Sequence, residues 1–283
     1  MIPQIPVLRT EKIASCKKMY NGHTDMIESE RIKVMITDSF DNKTEPIFTL
    51  KDFYGERKKI LDTCMIIFSK EIYEAVLITY ICTKIAEIKA PNGAVPIYKF
   101  SIEGKEIAFY LSAIGSTGTS EYCIESNWLT GAEKFIMFGS AGSLDKEKTQ
   151  GRFVIPTEAY RDEGISYHYA PPCDYIKIKN HEKLAAIFDE LHFPYVKGRV
   201  WTTDAFLRET AGQVAKRQEE GCIAVDMEVA GVQSVCDFYG FVLYDFLVTG
   251  DVLSEDQYEM ERFNDANHNL DKFYIALEIA KRI

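Results

Sequence analysis

The chain is 283 residues long, 46% hydrophobic and 27% charged, which allows one large α/β domain or two small ones. Its 43 acidic and 33 basic residues give a formal charge of −10, which excludes a bulk attraction to nucleic acid or to an anionic membrane. The cysteines, 7 in all and scattered without a C-x-x-C pair, suit a reducing compartment better than a disulfide framework and show no zinc spacing.

In chain order, residues 1–60 are polar and turn-rich, with DSFDNKTEP as the clearest loop, and are read as an N-terminal extension packed on the domain. The start, MIPQIPVLRTEKIASCKK, lacks the continuous apolar stretch of a secretory signal. The most apolar run, AVLITYIC, is far too short to span a bilayer, so a cytoplasmic location is expected. From residue 61 the pattern sharpens. TCMIIFS reads as a buried strand and KEIYEAVLITYICTKIAEI as a helix. GKEIAFYLSAIG is a strand, STGTSEYCIESNWLTG a helix ending at Gly131, and EKFIMFGSAGSL a strand running into a glycine-rich turn. The β-rich runs GRFVIPTEAY, YVKGRVWTTDAF and FVLYDFLVTGD alternate with helical NHEKLAAIFDEL and VAGVQSVCDFYG, and NLDKFYIALEIAKRI closes the chain.

This alternation implies an α/β fold, with a parallel or mixed sheet covered by helices on both faces. No repeat period and no low-complexity linker breaks residues 61–283, which are read as a single catalytic domain. Ligands in such sheets collect at the carboxyl ends of strands. Gly139 to Gly142, Thr203 to Phe206, Asp226 to Glu228, and Gly250 with Asp251 all fall there in sequence terms.

Each stretch also has an ordinary structural explanation. FGSAGSL is neither a Walker loop nor G-x-G-x-x-G, and a tight turn explains it equally well. The hydroxyls of Ser116, Thr117, Thr119 and Ser120 suit a helix N-cap, and Arg208 with Glu209 suits a solvated pair. Asp226 and Glu228 fit less easily, because acidic side chains in a small, apolar run are costly to bury without partners. No H-x-x-x-H or H-E-x-x-H occurs, so no metal is expected.

Taken together, FGSAGSL, TTDAF, AVDMEVAG and VTGD, in this order from about Cys64 to the C-terminus, resemble the nucleoside phosphorylase family. That family contains hexameric purine nucleoside phosphorylases, uridine phosphorylases and methylthioadenosine/S-adenosylhomocysteine nucleosidases. The resemblance implies a three-layer α/β/α domain with a central mixed sheet, cleaving the N-glycosidic bond of a ribonucleoside. It places Met227 and Glu228 under the ribose, where Glu228 accepts hydrogen bonds from the 2′- and 3′-hydroxyls, and Phe206 against the base. It makes Asp251 the acid at purine N7, although Gly250 stands where relatives more often have Ser. Arg208 takes the base-reading role of the uridine branch only with a gap, and AYRDEGISYHYAPP looks most like that same branch. Asp226 receives no role.

The nucleophile site implied by the resemblance comprises Gly115, Ser116, Gly139 and Ser140. The family's phosphate-binding arginines are not found: the first region reads MIIFSKEIY, and Met137 holds the second position. Lys70 or Arg161 is left to supply charge, though no motif places either one. The resemblance implies no cofactor beyond phosphate as co-substrate, and a homo-oligomer, whether dimer, trimer or hexamer. The leading expectation is a phosphorylase acting on a purine, or on a uridine-type, nucleoside. A nucleosidase using water and a non-catalytic nucleoside-binding or storage relative stay open.

Overall fold

Thr63–Ile67, the TCMII run, is buried at every position, as expected for a strand with helices on both sides. It forms β1 of the computed structural model, which describes residues 40–41, 43–254 and 257–283. Side chains alternate across this strand: Cys64 and Ile66 enter one apolar core, Met65 and Ile67 the other. Helix α1 (Leu50–Tyr54) precedes it, and α2 (Lys70–Thr79) follows, capped by the Ser69 hydroxyl. Residues 1–39 lie outside the described residues, so most of the proposed N-terminal extension does too. Asp41–Ile283 form one compact unit, into which residues 54–60 are tied by Trp128 donating to Gly55 O and by Ile60 N donating to Thr130 O.

The remaining elements follow the alternating pattern. They are β2 (Thr83–Ile88), β3 (Val95–Ile102), β4 (Lys105–Leu111), α3 (Ser116–Thr130), β5 (Lys134–Ser143), α4 (Lys146–Thr149), β6 (Phe153–Asp162), β7 (Tyr175–Lys177), α5 (His181–Glu190), β8 (Tyr195–Thr203), α6 (Ala211–Glu219), β9 (Cys222–Asp226), α7 (Val229–Tyr239), β10 (Val242–Leu253), β11 (Tyr258–Glu259), α8 (Phe263–Asn267) and α9 (Asp271–Arg282). The strand order is β11-β10-β6-β8-β9-β5-β1-β4-β3-β2, with β7 beside β6. Parallel pairs join β1 to β4 and β5, while β3 with β4 and β6 with β10 are antiparallel, so the sheet is mixed. Residues from α3 and α7 enter the first core, and residues from α2, α5 and α9 the second, giving the three layers expected.

Three features differ from the sequence reading. The helix read across Lys70 to Ile88 stops at Thr79, and Thr83–Ile88 forms an edge strand paired with β3. Its β-branched Thr83, Ile85 and Ile88 suit a strand better than a helix. The glycine-rich GSAGS is not a turn but the end of β5, held because β10 runs beside it, with Gly139 opposite Leu247 and Gly142 opposite Asp251. The sheet also closes on itself: β5 pairs with β10 along its length and with β9 at Gly142 and Ser143, so β5, β10, β6, β8 and β9 form a ring. A register shift in β10 between Thr249 and Asp251 accompanies this closure. Among the described residues no helix is long and apolar enough to cross a membrane.

Candidate active site

The carboxyl ends of β1, β5, β9 and β10 converge on one cavity of about 480 Å³. Gly139, Ser140, Phe206, Met227, Glu228 and Asp251 all line it, and the lining as a whole runs from Phe68 to Lys272, so residues far apart in the chain share one cavity.

The acidic turn after β9 explains its own composition. Asp226 Oδ2 accepts from the backbone N–H groups of Glu228 and Val229, each at 2.7 Å, and Oδ1 accepts from Thr202 Oγ1 at 2.7 Å. It thereby holds the Met227–Glu228 turn and the first N–H groups of α7, a role no local motif announced. Burial raises its pKa to about 6 despite these bonds. Asp226→Ala is expected to cost about 2 kcal/mol of unfolding free energy, since two buried N–H donors and a hydroxyl lose their acceptor while a desolvated carboxylate is also removed. Urea denaturation measures this, and wild-type stability would show that the turn stands without Asp226.

Glu228 is buried, and its Oε1 accepts from Gly115 N at 2.7 Å. Gly115 sits at φ 96°, a left-handed conformation that suits glycine, and this aims its N–H at the carboxylate. Ser116 is fully buried and donates from Oγ to Met227 O at 2.8 Å. The approach of α3 to α7 that allows this bond needs Gly231, where a Cβ would stand 2.7 Å from the Ser116 Cβ. Gly115 and Ser116 therefore support the Met227–Glu228 turn and are not among the residues lining the cavity. Desolvation, with the Asp226 carboxylate second, raises Glu228 to about 8.

Asp251 is 5% exposed, and desolvation raises its pKa, with the Tyr258 hydroxyl acting in the opposite direction. Phe206 lies in the 3-10 segment Phe206–Arg208 at the cavity edge, 41% exposed. Arg208 is exposed and does not line the cavity, whereas its neighbour Glu209 does, raised to about 7 by burial and by the charges of Asp251 and Asp226. Of the two cations left to supply charge, Lys70 lines the cavity, whereas Arg161 does not: it is buried, with Nε donating to Ser166 Oγ at 2.8 Å and Nη1 to Pro171 O at 2.7 Å. Met137 packs in the first core.

Around Ser140, which the resemblance did name, stand lining residues that no motif in the sequence singles out. Ser140 Oγ donates to Asn267 Oδ1, Ser69 Oγ lies 2.9 Å from His268 Nδ1, and His268 Nδ1 lies 2.8 Å from Glu71 Oε2. Lys272, from the start of α9, completes this end.

A model of the phosphorylase superfamily matches residues 66–278. The chain belongs to that superfamily. Among its relatives, the DeoD-type purine nucleoside phosphorylase of Colwellia psychrerythraea is 25% identical over 171 residues, 57% of this chain and 73% of the relative. The corresponding protein of Caldanaerobacter subterraneus is 27% identical over 203 residues, 69% of this chain and 83% of the relative. Two solved structures show the same fold. The futalosine hydrolase of Helicobacter pylori gives a TM-score of 0.64 at 18% identity, covering 79% of this chain and 99% of that one. The purine nucleoside phosphorylase of Toxoplasma gondii gives 0.63 at 20% identity, covering 79% and 90%. Superfamily membership places the chain among phosphorylases and nucleosidases.

Proposed function

We propose that this phosphorylase-superfamily chain cleaves the N-glycosidic bond of a purine ribonucleoside, with inorganic phosphate as the attacking group. The observation that carries this reading is the pair of buried acids, Glu228 and Asp251, on one cavity whose edge holds an aromatic ring, Phe206. As the C1′–N9 bond breaks, its electron pair goes to the base and the ribosyl group becomes oxocarbenium-like. Asp251 delivers a proton to N7, so that the base leaves neutral. Glu228 accepts hydrogen bonds from the ribose hydroxyls, which favours its ionised form and sets a negative charge beneath the developing cation. A phosphate oxygen then bonds to C1′, giving ribose 1-phosphate. The relatives described as purine nucleoside phosphorylases support both the base and the co-substrate.

Hydrolysis is the second reading, favoured by one observation: among the described residues no arginine lines the cavity, whereas Glu71 does and offers a carboxylate to take a proton from water. The two readings part on phosphate dependence. With inosine as substrate, the rate is expected to saturate with phosphate and the sugar to appear as ribose 1-phosphate. Free ribose formed at an equal rate in phosphate-free buffer would replace phosphorolysis with hydrolysis.

A further inference from the structure

Lys272 is the second residue of α9 and only 2% exposed. Lysine is among the residues least often buried without a partner. Its ammonium donates to Ala266 O at 2.6 Å and Asn267 O at 3.2 Å, at the end of α8. An ammonium has three N–H donors, and among the described residues no carboxylate pairs with this one. Desolvation without a counter-charge lowers it to about 7.

A lysine that merely capped α8 could do so from solvent, as cations near helix C-termini commonly do. This one instead lines the cavity beside Ser140, Asn267 and His268, on a wall without arginine. Ser140 adds a hydroxyl from the glycine-rich end of β5. The nearby acid, Glu71, is already engaged by His268 and by the Ser69 hydroxyl. The arrangement is a buried cation held in place by two neutral carbonyls, with no anion of its own.

We propose that Lys272 is the cation of the nucleophile subsite, holding an incoming inorganic phosphate against Ser140 and the end of β5. This assignment rests on the phosphorolytic reading above and adds to it the charge that Met137 does not provide. A charge-assisted contact from a single ammonium holds phosphate less firmly than an arginine fork, so the protein is expected to bind phosphate weakly.

Two variants separate charge from capping. Lys272→Gln keeps N–H donors for the carbonyls of Ala266 and Asn267 but removes the charge, and Lys272→Met removes both. Titration calorimetry of the full-length protein with inorganic phosphate is expected to show binding by the wild type, weakened about thirtyfold or more in both variants. Thermal melting is expected to show Lys272→Gln folded. Wild-type phosphate affinity in Lys272→Gln, or no phosphate binding by the wild type, would overturn the assignment. Product analysis keeps the two readings apart. Ribose 1-phosphate formed by both variants with an unchanged KM for phosphate would remove Lys272 and leave phosphorolysis standing. Phosphate-independent release of free ribose by the wild type would remove phosphorolysis itself, and with it the role of Lys272 in holding a nucleophile.

Discussion

Glu228→Gln is expected to fold as the wild type does and to lose about a hundredfold or more in kcat, the order of loss that follows removal of one preorganised electrostatic group. The amide still accepts a hydrogen bond from Gly115 N, so the turn keeps its 2.7 Å contact partner. What disappears is the negative charge, whose interaction strengthens as the sugar becomes cationic, so kcat falls more than KM rises. Burial also dictates a pH dependence. The free protein holds Glu228 at about 8, so the carboxylate forms as pH rises toward that value, and kcat/KM is expected to rise with it. The variant lacks this limb. The sign for stability is opposite: an acid whose folded pKa is raised stabilises the fold below its unfolded value, near 4.3, and this contribution is lost as pH rises through about 8. Glu228→Gln is therefore expected to flatten the decline in stability between those values. Near-wild-type kcat in the variant would remove Glu228 from the chemistry.

Asp251→Ala is expected to bring the other large loss, again about a hundredfold or more on inosine or adenosine, because a purine leaves poorly as an anion and the general acid at N7 is gone. Desolvation at the end of β10 raises the carboxyl, a shift toward the protonated donor. Asp251→Asn keeps a hydrogen-bond donor and is expected to retain more activity than the alanine variant. The two substitutions thus separate donation of a hydrogen bond from transfer of a proton. Uridine spreads its leaving-group charge over two carbonyl oxygens, so any uridine cleavage is expected to suffer less from Asp251→Ala. Equal rates for wild type and Asp251→Ala on purines would show that the base leaves without this acid.

Central strands were legible in the sequence because burial on both faces makes them largely apolar runs, as in Cys64–Ile67 and, interrupted only by Asp245, Leu243–Leu247. The edge hairpin of β2 and β3 was not, since its mixed exposure weakens the pattern and an apolar stretch ahead of it reads as more helix. Nor was the ring closure, which depends on a pairing of β5 with β9 just two residues long. The positions of Met227, Glu228, Phe206 and Asp251 were legible through short motifs at strand ends, and the structure brings them to one cavity.

The rest of the site depends on distance in the chain. Asp226 looked idle because its partner Thr202 arrives from β8, and Ser116 looked ligand-facing because nothing local says that its hydroxyl meets Met227 O. Glu209 reads as half of a solvated pair with Arg208, and nothing in NLDKFYIALEIAKRI singles out Lys272. Only the fold brings both to the cavity, where Glu209 is half-buried and Lys272 is almost fully buried. Arg208, which the resemblance offered as a base reader, stays outside the lining.

The most direct test is base release from a panel of inosine, adenosine, guanosine and uridine by the wild-type protein in phosphate buffer, followed by chromatography. The expected result is free purine released from at least one purine nucleoside, with uridine cleaved more slowly or not at all. Robust cleavage of uridine with no purine released, or no base released from any of the four, would contradict a purine nucleoside site built on Glu228 and Asp251.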